Sequence, residues 1–216
     1  MSSHIFKVSC ALAALLVSAS PASADENFGS SFYLSATGGI NQILDIDYAD
    51  TSNTAPYDGT TAGEVTFDYG MKGSLALGTY LGDSLRAELE LGYRDNGLDA
   101  VKPTGGSNTG MSGSATTTTV MGKLDYDFTL WGFKPYIGAG LGVASFAYDD
   151  KLVFDSDKVV FAGLLETGTT FALSDSVDLF TNSQLLILSD VSLAGGGLEL
   201  DRPVELSSSI GLRFHF

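Results

Sequence analysis

Apolar and polar residues alternate along the last stretch of the chain, PVELSSSIGLRFHF. One parity holds the apolar and aromatic side chains of Val204, Leu206, Ile210, Leu212, Phe214 and Phe216. The other parity holds Glu205, Ser207, Ser209, Gly211, Arg213 and His215. Because successive side chains of a β-strand point to opposite faces, this alternation predicts a strand with one apolar and one polar face.

Seven earlier segments show the same two-faced pattern, so the sequence predicts eight strands in all. Their ranges are 31–43, 64–80, 85–94, 114–130, 133–146, 159–173 and 177–188. In segment 64–80 the apolar face is predicted to include Val65, Phe67 and Met71. In segment 177–188 the pattern is weakest, because Phe180 and Leu186 break the parity.

The connections between these segments alternate between long polar loops and short turns. The long loops are 44–63, 95–113, 147–158 and 189–202, and the short turns are 81–84, 131–132 and 174–176. This alternation is typical of outer membrane barrels, whose loops are long at one end and short at the other. Every charged residue within a segment also falls on the polar parity. A charge facing lipid at the midplane costs about 2–4 kcal/mol, so this one-sidedness indicates that the apolar face contacts lipid.

A soluble eight-stranded barrel would show the same alternation with its apolar face inward. Two features favour the membrane form. The polar parity mixes isolated charges with small residues such as Ser74, Gly138 and Gly140, which suits a crowded interior. Aromatic residues lie near strand ends, where interfacial girdles form: Tyr93, Phe128, Trp131, Phe133, Phe171, Phe214 and Phe216. We therefore predict an all-β fold, an eight-stranded antiparallel up-and-down transmembrane β-barrel.

The N-terminal segment predicts export. Lys7 precedes a short apolar run, CALAALLV, and Ala22-Ser23-Ala24 fits a cleavage site. We expect a cleaved signal peptide over residues 1–24 and a barrel domain over residues 25–216. Cys10, the only cysteine, lies in the removed piece, so the mature chain has no disulfide and no cysteine metal site.

Net charge argues against a nucleic acid partner, and hydropathy argues against a transmembrane helix. Removing Lys7 from 11 basic residues leaves 10 against 26 acidic residues, a net charge of about −16 for the mature chain. Nucleic acid selects basic surfaces, so it is not an expected partner. The mature part contains no apolar run of 18 or more residues, which argues against a transmembrane helix.

Two stretches resemble known membrane barrels. The ending LRFHF resembles the C-terminal signature by which outer membrane barrels are recognised for assembly, carried here by Ile210, Leu212, Phe214 and Phe216. The segment FKPYIGAGLGV (residues 133–143) resembles the PYxGxGxG strand of the OmpA-like and opacity-protein-like superfamily of small surface barrels. The resemblance covers nearly the whole mature chain in architecture and these two strands in motif. It implies a stand-alone barrel without a peptidoglycan-binding domain after the last strand.

Charged residues on the predicted inner face are the main candidates for chemistry. They are Lys72, Arg86, Glu88, Glu90, Arg94, Lys123, Asp125, Glu166 and Arg213. In a tight lumen such charges must be paired, because each unpaired charge would cost several kcal/mol. The sequence leaves two interpretations open, a salt-bridged structural network and a narrow ion path.

Catalytic and metal sites are not predicted. The pairs Glu88/Glu90 and Asp125/Asp127 have the spacing of alternate strand residues, about 7 Å, and a structural role is expected. His215, the only mature histidine, has no nucleophile motif in nearby Ser207–Ser209. Loop aspartates could bind Ca²⁺ or Mg²⁺, but none has EF-hand spacing and we expect solvated loops: Asp45, Asp47, Asp50, Asp58, Asp149, Asp150, Asp155 and Asp157.

The sequence thus predicts a monomeric protein of the Gram-negative outer membrane, with no cofactor and no enzymatic activity. Its expected role is structural, or surface interaction through acidic extracellular loops. Expected partners are outer membrane lipid, lipopolysaccharide, the barrel-assembly machinery and an unknown loop ligand. A narrow porin-like channel is the alternative, and a lipid-modifying enzyme is a further one.

Overall fold

The computed structural model describes residues 32–50, 62–104, 109–110, 113–130, 133–150, 154–189, 191–193, 198–200 and 202–216. The predicted signal peptide and the predicted turn at residues 131–132 lie outside the described residues. No helix in the described ranges is long and apolar enough to cross a bilayer.

Strands account for nearly all of the described chain. In chain order they are β1 (Phe32–Ile43), β2 (Ile46–Asp50), β3 (Ala62–Phe67), β4 (Gly70–Tyr80), β5 (Leu85–Pro103), β6 (Thr109–Gly110), β7 (Gly113–Asp127), β8 (Lys134–Asp150), β9 (Phe154–Ser174), β10 (Val177–Leu188), β11 (Val191–Leu193), β12 (Leu198–Leu200) and β13 (Val204–His215).

Eight of these strands form a closed antiparallel barrel in the order β1, β4, β5, β7, β8, β9, β10, β13. The last strand pairs with the first from Tyr33↔His215 to Ile43↔Glu205, which closes the sheet. Closure leaves no sheet edge in the barrel wall, so every strand there has a hydrogen-bonded neighbour on both sides. The predicted all-β, eight-stranded antiparallel barrel is confirmed.

The exposure of side chains alternates along the barrel strands as the sequence predicts. On β7, Lys123 is 5% exposed and its neighbour Leu124 is 55% exposed. Six of the seven predicted aromatic residues are exposed on the outer wall: Tyr93, Phe128, Phe133, Phe171, Phe214 and Phe216. The seventh, Trp131, lies outside the described residues. The polar side chains therefore point into the lumen and the apolar ones toward lipid.

The predicted long loops are partly strand. Residues 44–63 contain β2 and the start of β3, residues 95–113 continue β5 and contain β6, and residues 189–202 contain β11 and β12. Residues 147–158 continue β8 and β9. β11, β12, β2, β3 and the upper part of β5 pair in that order and form an outer extension beyond the barrel. In these ranges the strands continue to pair although apolar and polar residues no longer alternate, because the backbone hydrogen bonds between strands do not need apolar side chains.

Val65 and Phe67 were predicted to face lipid, and this was wrong. Segment 64–80 is two strands, β3 and β4, separated at Asp68 and Tyr69. Val65 is 2% exposed and Phe67 is 7% exposed, because β3 belongs to the outer extension and turns these side chains inward.

The lumen is filled by two layers. The upper apolar layer, toward the long loops, consists of Ile43, Ile46, Val65, Phe67, Leu98, Ala115, Met121, Ala144, Phe146, Ala162, Leu164, Leu186 and Leu188. The lower polar layer, toward the short turns, holds most of the charged side chains of the barrel strands, whereas Glu205 lies beside Ile43 and Leu186 of the apolar layer. Leu186 breaks the predicted parity of β10 because it is an inward residue of the apolar layer.

Candidate functional site: the charged lumen

All nine residues predicted to face the lumen lie buried inside the barrel. Their exposed fractions run from 0% for Arg86 to 8% for Glu88, and the other seven lie between: Lys72, Glu90, Arg94, Lys123, Asp125, Glu166 and Arg213. Inward positions of β4, β5, β7, β9 and β13 supply these side chains. The barrel therefore gathers nine ionisable groups into its buried interior.

Lys123 is the centre of the polar layer. Its Nζ atom lies 2.8 Å from Glu88 Oε2, 2.9 Å from Glu90 Oε2 and 3.0 Å from Glu166 Oε1. β5 carries the first two carboxylates and β9 carries the third, so one ammonium joins three strands. The ammonium donates hydrogen bonds to Glu90 and Glu166, and Glu88 is its third ion-pair partner.

Arg86 organises a second group closer to the short turns. Its Nη1 lies 2.8 Å from Glu88 Oε1 and its Nε lies 2.9 Å from Asp127 Oδ2. The guanidinium carbon also lies 4.8 Å from the centre of the Tyr136 ring. Tyr33 donates its hydroxyl hydrogen to Glu88 Oε1 at 2.6 Å. Glu88 thus connects the Arg86 group to Lys123.

Gln184 links these groups to two further cations, Arg94 and Lys72. Its Nε2 donates to Glu166 Oε2 at 2.7 Å, and its Oε1 accepts from Arg94 Nη2 at 2.9 Å and also from Lys72 Nζ. Arg94 Nε in turn lies 3.6 Å from Glu205 Oε2. A neutral amide can bridge in this way because it offers both a donor and an acceptor.

Arg213 and His215 close the polar layer at the short-turn end. The guanidinium of Arg213 lies 4.8 Å from the ring centre of Tyr33 and 4.9 Å from that of Phe180. This stacking explains why Phe180, like Leu186, departs from the predicted parity and points inward. His215 Nε2 lies 2.8 Å from Asp178 Oδ2. Ser207 lies eight residues from His215 on the same strand, about 26 Å away, too far for a Ser–His pair.

Small residues on β8 make room for this network. A Cβ atom on Gly138 would lie 1.8 Å from Asp125 Oδ1, and one on Gly140 would lie 2.9 Å from the Cγ of Lys123. β8 separates β7 from β9, so larger residues there would keep Lys123 away from Glu166. The predicted role of these glycines in a crowded interior matches their position.

Several members of the network were not among the predicted lumen residues. Asp127, Gln184 and Glu205 are 6%, 1% and 1% exposed, and each holds at least one of the cations. Tyr33 and Asn182 contribute hydrogen bonds to Glu88 and Glu166. Inward parity alone would have selected Glu205 and Asp127, since both lie on the polar faces of predicted strands.

Three carboxylates have the spacing of a metal-ligand set. Oxygens of Glu88, Asp125 and Glu166 lie within 4.8 Å of one another. The ammonium of Lys123 already binds Glu88 and Glu166 and supplies the positive charge that an ion would bring. This arrangement therefore does not by itself make a metal site.

Ionisable side chains of the outer extension form a separate, exposed group. Lys102 Nζ donates to Glu64 Oε1 at 3.1 Å, and this hydrogen bond lowers the pKa of Glu64. Asp45 lies beside Glu64, and its pKa is raised by partial desolvation and by a hydrogen bond with Glu64. Asp47 is exposed, whereas the other six predicted loop aspartates have side chains outside the described residues.

Solved structures of outer membrane proteins share this fold. Neisserial surface protein A (NspA) is 18% identical, with a TM-score of 0.58, over 88% of this chain and 100% of that one. OprG from Pseudomonas aeruginosa is 16% identical, with a TM-score of 0.55, over 87% and 97%. AlkL is 14% identical, with a TM-score of 0.54, over 92% and 95%. No curated protein matches the sequence.

The amino-acid sequence also matches the model of a protein family. The model described as "Outer membrane protein beta-barrel domain" matches residues 10–214, which is nearly the whole chain. The match agrees with the closed eight-stranded barrel, its lipid-facing apolar wall and the similarity to NspA and OprG. This chain belongs to the outer membrane protein beta-barrel domain family.

Proposed function

We propose that this protein is a closed barrel that anchors an acidic surface in the outer membrane and does not conduct ions. The observation that carries the proposal is the filling of the lumen by two successive layers. A surface role then rests on the outer extension and the long loops, which lie beyond the membrane.

The chemistry of the two layers supports closure. In the polar layer, Lys123, Arg86 and Arg94 are each within 4.0 Å of a carboxylate and are buried, so their charges are neutralised by protein and not by water. The apolar layer above is mainly hydrocarbon, and Glu205, which lies beside Ile43 and Leu186 of this layer, is buried and accepts hydrogen bonds from Thr117 and Asn41. An ion on this path would have to break buried pairs and then cross a dry constriction.

Charge on the outside supports a role in surface interaction. More than half of the 26 acidic residues lie at the long-loop end of the strands or in the loops between them. In the described part of this region Asp47 and Asp68 are exposed. A field of this sign attracts cationic partners and divalent ions. The proposed partner of the loops is therefore a positively charged surface or peptide.

The oligomeric state, the contact with the assembly machinery and the enzymatic role are also matters of proposal. The outer wall is apolar around the barrel, so we propose a monomer surrounded by outer membrane lipid and lipopolysaccharide. The residues of the assembly signature lie on the outer face of β13, with exposed fractions of 56%, 39%, 45% and 72% for Ile210, Leu212, Phe214 and Phe216. They are thus accessible to the assembly machinery. No enzymatic role is proposed, since His215 lies at the short-turn end and Ser207 is about 26 Å away from it along β13.

Single-channel recording tests the closed state. The purified protein would be refolded into a planar bilayer beside an Arg86→Ala variant, with folding checked by heat-shifted gel mobility. We expect no steady openings from the wild-type protein. Steady openings whose conductance changes in the variant would favour the narrow channel and would refute the closed anchor.

Proteolysis of intact cells tests the orientation. An added protease should cut in the long loops, within residues 44–63 or 95–113. Cuts restricted to residues 82–84 would place the short turns outside and would reverse the proposed orientation.

A further inference from the structure

Two buried carboxyl groups, those of Asp125 and Glu166, meet over Gly138. Gly138 of β8 lies opposite Asp125 of β7 and opposite Glu166 of β9, so the three residues form one row across the barrel wall. Gly138 has no side chain to separate its neighbours, and a Cβ atom there would lie 1.8 Å from Asp125 Oδ1 and 3.0 Å from the Cγ of Glu166. The two carboxyl groups lie within hydrogen-bonding distance of each other. Two ionised carboxylates cannot make such a bond, because neither has a proton to donate.

The hydrogen-bond donors beside this pair serve Glu166. In the described part of the chain Glu166 accepts hydrogen bonds from Lys123 at 3.0 Å, from Asn182 at 2.9 Å and from Gln184 at 2.7 Å. Asp125 is 1% exposed, and neither of its oxygens accepts a hydrogen bond from a donor group of the described residues. Of the two carboxyl groups, Asp125 is therefore the one that its surroundings do not stabilise as an anion.

The buried charges of the described barrel do not balance if every group is ionised. Five buried cations are present: Lys72, Arg86, Arg94, Lys123 and Arg213. Six buried carboxyl groups accompany them: Glu88, Glu90, Asp125, Asp127, Glu166 and Glu205. Asp178 is outside this set, because it is partly exposed and pairs with His215. One negative charge is thus left over in a space where an unpaired charge is costly, and one bound proton would restore the balance.

A proton suits this position better than a metal ion. Lys123 Nζ lies 3.0 Å from Glu166 Oε1, and Arg86 Nη1 lies 3.6 Å from Asp125 Oδ2. A metal ion held by both carboxyl groups would stand beside these two cations and would be repelled by them. A proton adds the same charge inside a hydrogen bond, which is how two adjacent carboxyl groups avoid being ionised together.

We propose that Asp125 and Glu166 form a proton-binding site inside the lumen. Asp125 keeps its proton at neutral pH and donates it to Glu166, which stays ionised beside Lys123. The site makes the buried charges neutral without a counter-ion from solution. The other titratable and charged groups around the pair come from β5, β7 and β8: Arg86, Glu88, Lys123, Asp127 and Tyr136.

Urea unfolding of the refolded barrel in lipid vesicles, repeated at several pH values, tests the site. The unfolded chain loses the Asp125 proton above about pH 4, whereas the folded chain keeps it, so rising pH favours unfolding. Relative to Asp125→Asn, the unfolding equilibrium constant of the wild type should rise about tenfold per pH unit between about pH 5 and pH 8. Asp127→Asn is the matched control, because Asp127 lies on the same strand and already has Arg86 as a partner at 2.9 Å. Its unfolding constant relative to the wild type should not change with pH.

Infrared difference spectra give a second measurement, which a change in stability alone would not alter. At neutral pH the wild type should show the carbonyl band of a neutral carboxyl group. Asp125→Asn and Glu166→Gln should both lose this band, because either change breaks the pair, and the second variant remains informative if the first does not fold.

A pH-independent ratio of unfolding constants, or the absence of the neutral-carboxyl band from the wild type, would overturn the site. A band that remains in both variants would place the proton on another group and would overturn it as well. Stabilisation of the wild type but not of Asp125→Asn by sodium ions at constant ionic strength would replace the proton with a bound metal cation.

Discussion

Replacing Lys123 with methionine should be one of the most damaging single changes to this barrel. The ammonium of Lys123 contacts Glu88, Glu90 and Glu166 at 2.8–3.0 Å, and its side chain is 3% exposed. Methionine retains much of the side-chain volume but provides no charge. The variant would leave three buried carboxylates around an apolar group, without the cation that holds them together.

The size of the effect follows from this burial. Removing one partner of a buried ion pair typically costs about 3–5 kcal/mol, because the remaining charge is left unpaired away from water. We expect the free energy of unfolding of Lys123→Met to fall by about this amount. Adding Glu166→Gln should recover part of the loss, since glutamine removes one unpaired charge and can still accept hydrogen bonds from Asn182 and Gln184.

The matched control is Lys102→Met in the outer extension. Lys102 also lies 3.1 Å from a carboxylate, that of Glu64, but the two side chains are 42% and 38% exposed. Exposed pairs contribute about 0–1 kcal/mol, so this variant should unfold almost as the wild type does. The assay is equilibrium urea unfolding in lipid vesicles, followed by the heat-shifted gel mobility of the folded barrel.

The result that would refute this reasoning is a loss below about 1 kcal/mol in Lys123→Met, or equal losses in the two lysine variants. Either outcome would mean that water reaches the carboxylates. The lumen would then be wet, and the closed barrel proposed above would have to be abandoned in favour of a channel.

Three further predictions use the same unfolding assay or its cellular counterpart. Asp125→Asn should cost less than about 1 kcal/mol in urea, because both oxygens of Asp125 lack a hydrogen-bond partner and crowd other carboxylates, and Arg86, 3.6 Å away, keeps its closer carboxylate partners; a loss as large as that of Lys123→Met would contradict this. Gly78→Val should fail to fold, since its Cβ would lie 2.2 Å from the ring of Tyr33, whereas Gly38→Val should refold normally; equal gel-shift yields would count against the packed lumen. Phe216→Ala should lower the amount of barrel assembled in cells but not its urea midpoint, because Phe216 is 72% exposed; a shifted midpoint would point to a packing role instead.

The wall of the barrel could be predicted from sequence because charged residues are tolerated only on the face of a strand that points away from lipid. Lys72, Glu166 and Arg213 come from different strands, yet each falls on the polar parity and each is buried in the structure. Alternation and the lengths of the connections were sufficient to give the strand number and the inner face.

The upper half of the lumen could not be predicted in this way. Inside the apolar layer both faces of a strand are hydrophobic, so parity no longer separates lipid from interior. Leu186 looked like an irregularity for this reason. Val65 and Phe67 were assigned to lipid because they share the parity of Met71, and the pattern did not show that β3 ends at Phe67 and turns its apolar side chains inward. The sequence offers no local signal that distinguishes an apolar lumen from an apolar membrane.

Which charged residues pair with each other also could not be predicted from the sequence. Lys123 on β7 and Glu166 on β9 meet across β8, and their contact depends on strand stagger and on the missing side chains of Gly138 and Gly140. Gln184 joins two carboxylates and two cations, yet it carries no charge that would single it out. Such contacts are set by three-dimensional register and not by spacing along the chain.

The length of β5 has a mechanical consequence. This strand runs without a break from Leu85 at a short turn to Pro103 in the outer extension, paired with β4 and β7 below and with β3 above. Ladder hydrogen bonds lie across the strand direction, so a pull along β5 loads many of them at once. In the proposed orientation, a partner that binds the outer extension would therefore load β5 in shear against β4 and β7 of the barrel wall.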